Sequence, residues 1–102
     1  MRPVILAHSA SDLYESVARI TRCLSMYDEQ AFASESIAQD AVRYNLLVIE
    51  ECLRAMDAQW PDIRPALDAG TKPLHQYLGL WDFVQDYIPR LTHLLSREGT
   101  PT

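Results

Sequence analysis

Residues 34–56 read SESIAQDAVRYNLLVIEECLRAM. Within them Ile37, Ala41, Tyr44, Val48 and Cys52 recur at helical spacing and trace one apolar stripe, while Val42, Leu46, Ile49, Leu53 and Met56 trace a second beside it. A helix apolar over so wide an arc is one that several neighbours cover, so the pattern predicts the central helix of a bundle. Asn45 falls among these apolar positions. Two readings stay open for it: an amide that satisfies nearby backbone groups, or a side chain lining a site between helices. Glu50 and Glu51 are expected at the surface, because an unpaired buried carboxylate is costly.

Working outward toward the N-terminus, Leu13, Val17, Ile20, Leu24 and Tyr27 again step at helical intervals, with Ser9, Ser11 and Asp12 as N-cap candidates ahead of them. This is an amphipathic helix with Glu15, Arg19 and Arg22 on its solvated face. Asp28-Glu29-Gln30 ends it or turns the chain. Toward the C-terminus, Gln59-Trp60-Pro61-Asp62-Ile63-Arg64-Pro65 carries two prolines and reads as a connector, with Trp60 folded back on the core. Ala66–Ala69 suffices for one helical turn, and Gly70 is placed as a stop signal. Pro73 reads as the first residue of a new helix, which puts His75 in its first turn. Unpaired amides at such a place attract an anion, phosphate above all. Trp81, Val84, Ile88, Leu91 and Leu95 then mark the last helix, in which Pro89 predicts a kink or a restart. His93 and His8 read as plain surface or boundary histidines, and the lead 1–8 and tail 97–102 as loosely held.

Composition bounds the functional classes. The 102 residues, 48% hydrophobic and 23% charged, fit one domain over 1–102 with a modest core that dimerisation would enlarge. Nine basic against fourteen acidic side chains give a net charge of -5, which excludes a non-specific nucleic-acid binder working through a broad basic surface. A local basic cleft, assembled from two chains, is compatible with it. Cys23 and Cys52 stand apart, with neither zinc spacing nor a disulfide framework, and fit a reducing compartment. The apolar run after Met1 is too short for a signal peptide and no stretch reaches membrane-spanning length, so a cytoplasmic protein is expected. The expected fold is all-α, an antiparallel bundle of about four main helices.

One ordered set of short motifs carries a resemblance. It comprises Gln39-Asp40-Ala41-Val42, Asn45-Leu46, Ile49-Glu50-Glu51, Trp60-Pro61-Asp62-Ile63, His75-Gln76-Tyr77-Leu78-Gly79 and Trp81 through Pro89. In this order they resemble the HepT-like branch of the HEPN superfamily, over most of the chain. The resemblance implies a helical bundle that forms a homodimer and acts as the ribonuclease toxin of a toxin–antitoxin pair. The partner it implies is a small MNT-type nucleotidyltransferase, the substrate is RNA, and neither metal nor other cofactor is called for.

The family's site is an arginine, four to six residues, a histidine, one residue and a tyrosine. His75 and Tyr77 match the last two, while Asp68, Ala69 and Gly70 stand where the arginine belongs. Lys72 is the cation near them in sequence. The chain is also shorter than the family pattern before Lys72 and between Gly79 and Trp81. By the resemblance, His75 is the acid or base of RNA cleavage, a role suited to an imidazole, Lys72 a weak phosphate contact, and Asn45 a site-lining residue. Tyr77 is the acceptor of AMP from the partner, which adds negative charge where RNA phosphate must bind. Loss of a preorganised arginine costs on the order of 3 kcal/mol in such a site, so weakened activity is expected. Read alone, Tyr77 is a boundary aromatic with its hydroxyl in water, and His75 a side chain bonded to a carbonyl. A catalytically inactive HEPN module that binds a nucleotidyltransferase, or an unrelated helical dimerisation domain, are the alternatives.

Overall fold

The computed structural model describes residues 10–98, which form helices and turns with no strand among them. The expectations for the lead, His8 and the end of the tail lie outside the described residues. The helices are α1 (Ala10–Met26), α2 (Glu29–Ala33), α3 (Ser36–Ala55), α4 (Ile63–Gly70) and α5 (Leu80–Arg97), with a short 3₁₀ turn at Leu74–Gln76. The all-helical expectation holds, with five α-helices among the described residues where about four main ones were expected.

α1 buries Leu13, Val17 and Ile20 against α3, which offers Val42, Ile49, Cys52 and Leu53. α5 adds Val84, Ile88, Leu91 and Leu95 and reaches α1, α2 and α4. Each such apolar side chain, taken from water to full burial, contributes about 1.5–3 kcal/mol. Trp60 of the connector is buried in the core, as expected.

Four local readings change. Asp28 does more than end α1: its carboxylate accepts from the Ala31 amide at 2.7 Å and so starts α2, whose Phe32 is buried. α4 begins at Ile63 rather than after Pro65, because Pro65 lies in the first turn, where its missing N–H has no partner to lose. Of the kink or restart expected at Pro89, the restart is overturned: α5 runs through Pro89, whose ring is exposed while Ile88 and Leu91 on either side hold the helix to the core. Three of the five residues of the first apolar stripe of α3 are not covered: Ala41 is exposed, Ile37 is 76% and Tyr44 49% exposed, and Leu47 joins them at 60%.

Candidate functional site

The stretch from Thr71 to Gly79 links α4 to α5. Thr71 ends α4 by donating its hydroxyl to the Leu67 carbonyl at 2.6 Å. Pro73 starts only the 3₁₀ turn, closed by Gln76 N–H to Pro73 O and Tyr77 N–H to Leu74 O. The helix expected from Pro73 is therefore only this one turn: α5 begins at Leu80, with Gly79 as its N-cap at φ 159°, a backbone region that side-chain-bearing residues rarely adopt. The physical reason lies on both sides of the turn. Tyr77 is pulled onto α5, and the Asp82 carboxylate takes the Leu78 amide at 2.9 Å. That carboxylate places negative charge at the start of α5, so the expected phosphate site on helix amides beside His75 is withdrawn as well.

Tyr77 is only 8% exposed. Its hydroxyl donates to Asp86 Oδ2 at 2.6 Å and accepts the Lys72 backbone amide at 3.1 Å. Its ring meets the edge of Phe83, with centroids 5.2 Å apart, and the Lys72 ammonium lies 4.7 Å from the ring centroid in a cation–π contact. The other carboxylate oxygen of Asp86 accepts from Arg90 Nη2 at 2.7 Å, one helical turn along α5. Arg90 Nε is buried with no partner, and a β-carbon placed on Gly70 would stand 2.6 Å from Arg90 Nη1. Thus the guanidinium occupies the space that the missing side chain of Gly70 leaves open.

The electrostatics follow from these bonds. The hydrogen bond given to Asp86 holds the Tyr77 phenol above its ordinary value, with desolvation adding to it. The same bond holds the Asp86 carboxyl below the usual 3.8, helped by Arg90 and, at longer range, by Lys72. Burial pushes the neighbouring Tyr87 phenol up to about 12, with Glu50 and Asp68 adding to the effect.

His75 and the Lys72 side chain are both exposed on this turn; the structure joins Lys72 to Tyr77, while His75 shares only their segment. Asn45 stands elsewhere. Its Nδ2 donates to the Ala41 carbonyl at 2.8 Å within α3, its Oδ1 is buried without a partner, and it does not line the cavity beside Tyr77. That cavity, about 850 Å³, opens between α3, α4 and α5 over Leu46, Leu47, Leu67, Tyr77, Phe83 and Tyr87. Among the described residues no three His, Cys, Asp or Glu side chains are grouped to hold a metal ion. Nor is any described helix long and apolar enough to cross a membrane.

Sequence reasoning missed Asp86 and Arg90. Their four-residue spacing on the face away from Val84, Ile88, Leu91 and Leu95 was a readable ion-pair signal. Their meeting with Tyr77 and Gly70 was not readable from spacing. No family model, curated protein or solved structure matches the chain.

Proposed function

We propose that this chain is a weakened HepT-like endoribonuclease, the toxin of a toxin–antitoxin pair, which cleaves RNA without a metal. His75 acts as acid or base, Lys72 contacts phosphate, and Tyr77 accepts AMP from an MNT-type nucleotidyltransferase partner. The 2'-hydroxyl of RNA attacks the adjacent phosphorus, a cyclic phosphodiester forms and the 5'-oxygen leaves. An imidazole takes the hydroxyl proton or supplies one to the leaving oxygen. The observation that carries this reading is the mounting of the turn: His75 and Lys72 are exposed, while the Tyr77 hydroxyl ties the Lys72 backbone amide to Asp86 of α5. Catalysis needs such fixed placement of exposed groups. In this reading the protein works as a homodimer in the cytoplasm, the exposed outer face of α3 meeting its copy, and two sets of the turn face one RNA groove.

AMP transfer to Tyr77 forms a bond from the phenolic oxygen to the α-phosphorus of ATP and releases pyrophosphate and the phenolic proton. Both sides of that oxygen are engaged by Asp86 and the Lys72 amide, so the turn must swing out for the reaction. A second reading, an inactive HEPN module that only binds its nucleotidyltransferase, is favoured by the hold of Asp86 on Arg90.

Cleavage of labelled RNA in the absence of divalent metal, at matched protein concentration, tests the two. The first reading expects slow cleavage by the wild type and none by His75→Ala. Equal cleavage by both proteins removes His75 from the chemistry. If neither cleaves, while AMP is added to the wild type and not to Tyr77→Phe, the binding module is the correct reading.

A further inference from the structure

The Tyr77 hydroxyl is bonded to the Lys72 backbone amide and to Asp86; the Lys72 ammonium lies over the Tyr77 ring, and Arg90 is bonded to the other oxygen of Asp86. Arginine has five N–H donors in a planar fork. In Arg90 one Nη2 hydrogen is given to Asp86, Nε is buried and unpartnered, and Nη1 lies at Gly70. Beyond the one hydrogen given to Asp86, the guanidinium therefore keeps Nη hydrogens beside a turn that already carries an exposed ammonium and an imidazole, while the buried Nε is closed to an entering ligand. Gly70 leaves that space open, and a side chain there would displace Nη1.

We propose that Arg90 is the phosphodiester-binding cation of this site, and that Asp86, braced by the Tyr77 hydroxyl, is a positioning residue that holds the guanidinium at Gly70 and tempers its attraction for phosphate. The ligand is taken from the RNA reading above. The charge argument is local: Asp86 has one oxygen on Tyr77 and the other on Arg90, so it neutralises Arg90 while fixing where it sits. A phosphate that enters beside Gly70 competes with Asp86 for the same fork. Substituting Asp86 by Asn keeps an acceptor for Tyr77 and removes the competing charge.

The test is the affinity for a labelled single-stranded 2'-deoxy oligonucleotide, which offers phosphates but cannot be cleaved, measured by fluorescence anisotropy over a series of salt concentrations. Arg90→Gln is expected to weaken binding about fivefold, and to lower the slope of log K against log salt by about 0.7 for each phosphate that is no longer neutralised. Arg90→Lys keeps the charge without the fork and loses only part of the affinity. Asp86→Asn is expected to tighten binding about fivefold, through loss of the charge-assisted bond to Arg90. The double variant Asp86→Asn, Arg90→Gln should fall back to the level of Arg90→Gln. Asp68→Asn removes the same charge from the cavity lining, to which neither Asp86 nor Arg90 belongs, and should change affinity less than Asp86→Asn.

Equal gains from Asp68→Asn and Asp86→Asn would show a mere net-charge effect and overturn the proposal. So would wild-type affinity and salt slope in both Arg90 variants. Circular dichroism of each variant confirms that the folded protein is compared. If Arg90 governs binding but no variant cleaves RNA, the ribonuclease reading falls and this one stands. If RNA is cleaved while Arg90 affects neither affinity nor slope, the outcome is reversed.

Discussion

At the scale of the residue, the Tyr77 hydroxyl lies between an amide and a carboxylate, so Asp86 and Tyr77 are driven apart in acidity by the bond they share. Asp86 is held below its ordinary 3.8, so its contribution to stability is present above that value and is lost as pH falls through the lower folded value. Thermal unfolding of the wild type between about pH 5 and about pH 2 should therefore show a larger loss of Tm than that of Asp86→Asn. Equal acid sensitivity would detach Asp86 from folding. Tyr87 has the opposite case: raised to about 12, its contribution is complete below 10.0 and disappears as pH rises through the folded value. Cys52 is fully buried and its thiol is pushed up to about 11, first by burial and then by Asp12 and Glu51, whereas Cys23 is only half-buried. Thiolate is the reactive form, so a neutral-pH thiol titration of native protein should label Cys23 first and Cys52 only on unfolding. Asn45 offers a separate check. With Oδ1 buried and unpartnered, Asn45→Leu should raise stability by about 1 kcal/mol in urea unfolding, unless that oxygen serves a ligand.

At the scale of the element, the long helices were legible because their apolar spacing is set by one side of the core, which is what a hydrophobic period records. Leu13, Val17 and Ile20 on α1, and Val84, Ile88, Leu91 and Leu95 on α5, are buried as their spacing implied. Short elements were not legible, because a five-residue helix such as α2 has too few positions to show a period. It stands on its N-cap instead. Asp28→Ala should cost about 0.5–2 kcal/mol in urea unfolding, through the lost bond to the Ala31 amide, and no loss would mean that packing of Phe32 alone holds α2. The turn after α4 was misread for a related reason: Pro73 announces a helix start, but Asp86 and Asp82 on the next helix hold the Tyr77 hydroxyl and the Leu78 amide and divert the chain. The site was legible only in its parts. His75, Lys72 and Tyr77 lie together in sequence, while the Asp86 that holds Tyr77, and the Arg90 bonded to it, come from a later helix, which no local pattern reports. Gly79 is the hinge point of that diversion, and Gly79→Ala at φ 159° should destabilise the fold by about 1–3 kcal/mol.

At the scale of the whole molecule, a domain of this size buries a smaller share of its apolar surface than a larger one does, and the remainder has to face water or a partner. Ile37, Tyr44 and Leu47 lie along the outer side of α3 at spacings of seven and three, so they form one stripe rather than scattered exposure. Leu47 also borders the 850 Å³ cavity, whose far rim carries Leu74, 73% exposed. The stripe is therefore continuous with the cavity beside Tyr77. A second copy lying along α3 would cover both and bring two turns near one another, which is the arrangement the ribonuclease reading needs. Stable association requires burial on the order of 1,200 Å² or more in total, so the stripe must act with the cavity rim rather than alone. Light scattering at micromolar concentration should then give about twice the 11.6 kDa chain mass for the wild type. Ile37→Lys should shift the protein toward monomer with little change in helix content, because Ile37 stands outside the buried core of its own chain. A dimer that survives Ile37→Lys and Leu47→Lys would place the interface elsewhere. A wild-type monomer would leave each turn to meet RNA alone, and cleavage, if observed, would then have to scale with the first power of protein concentration.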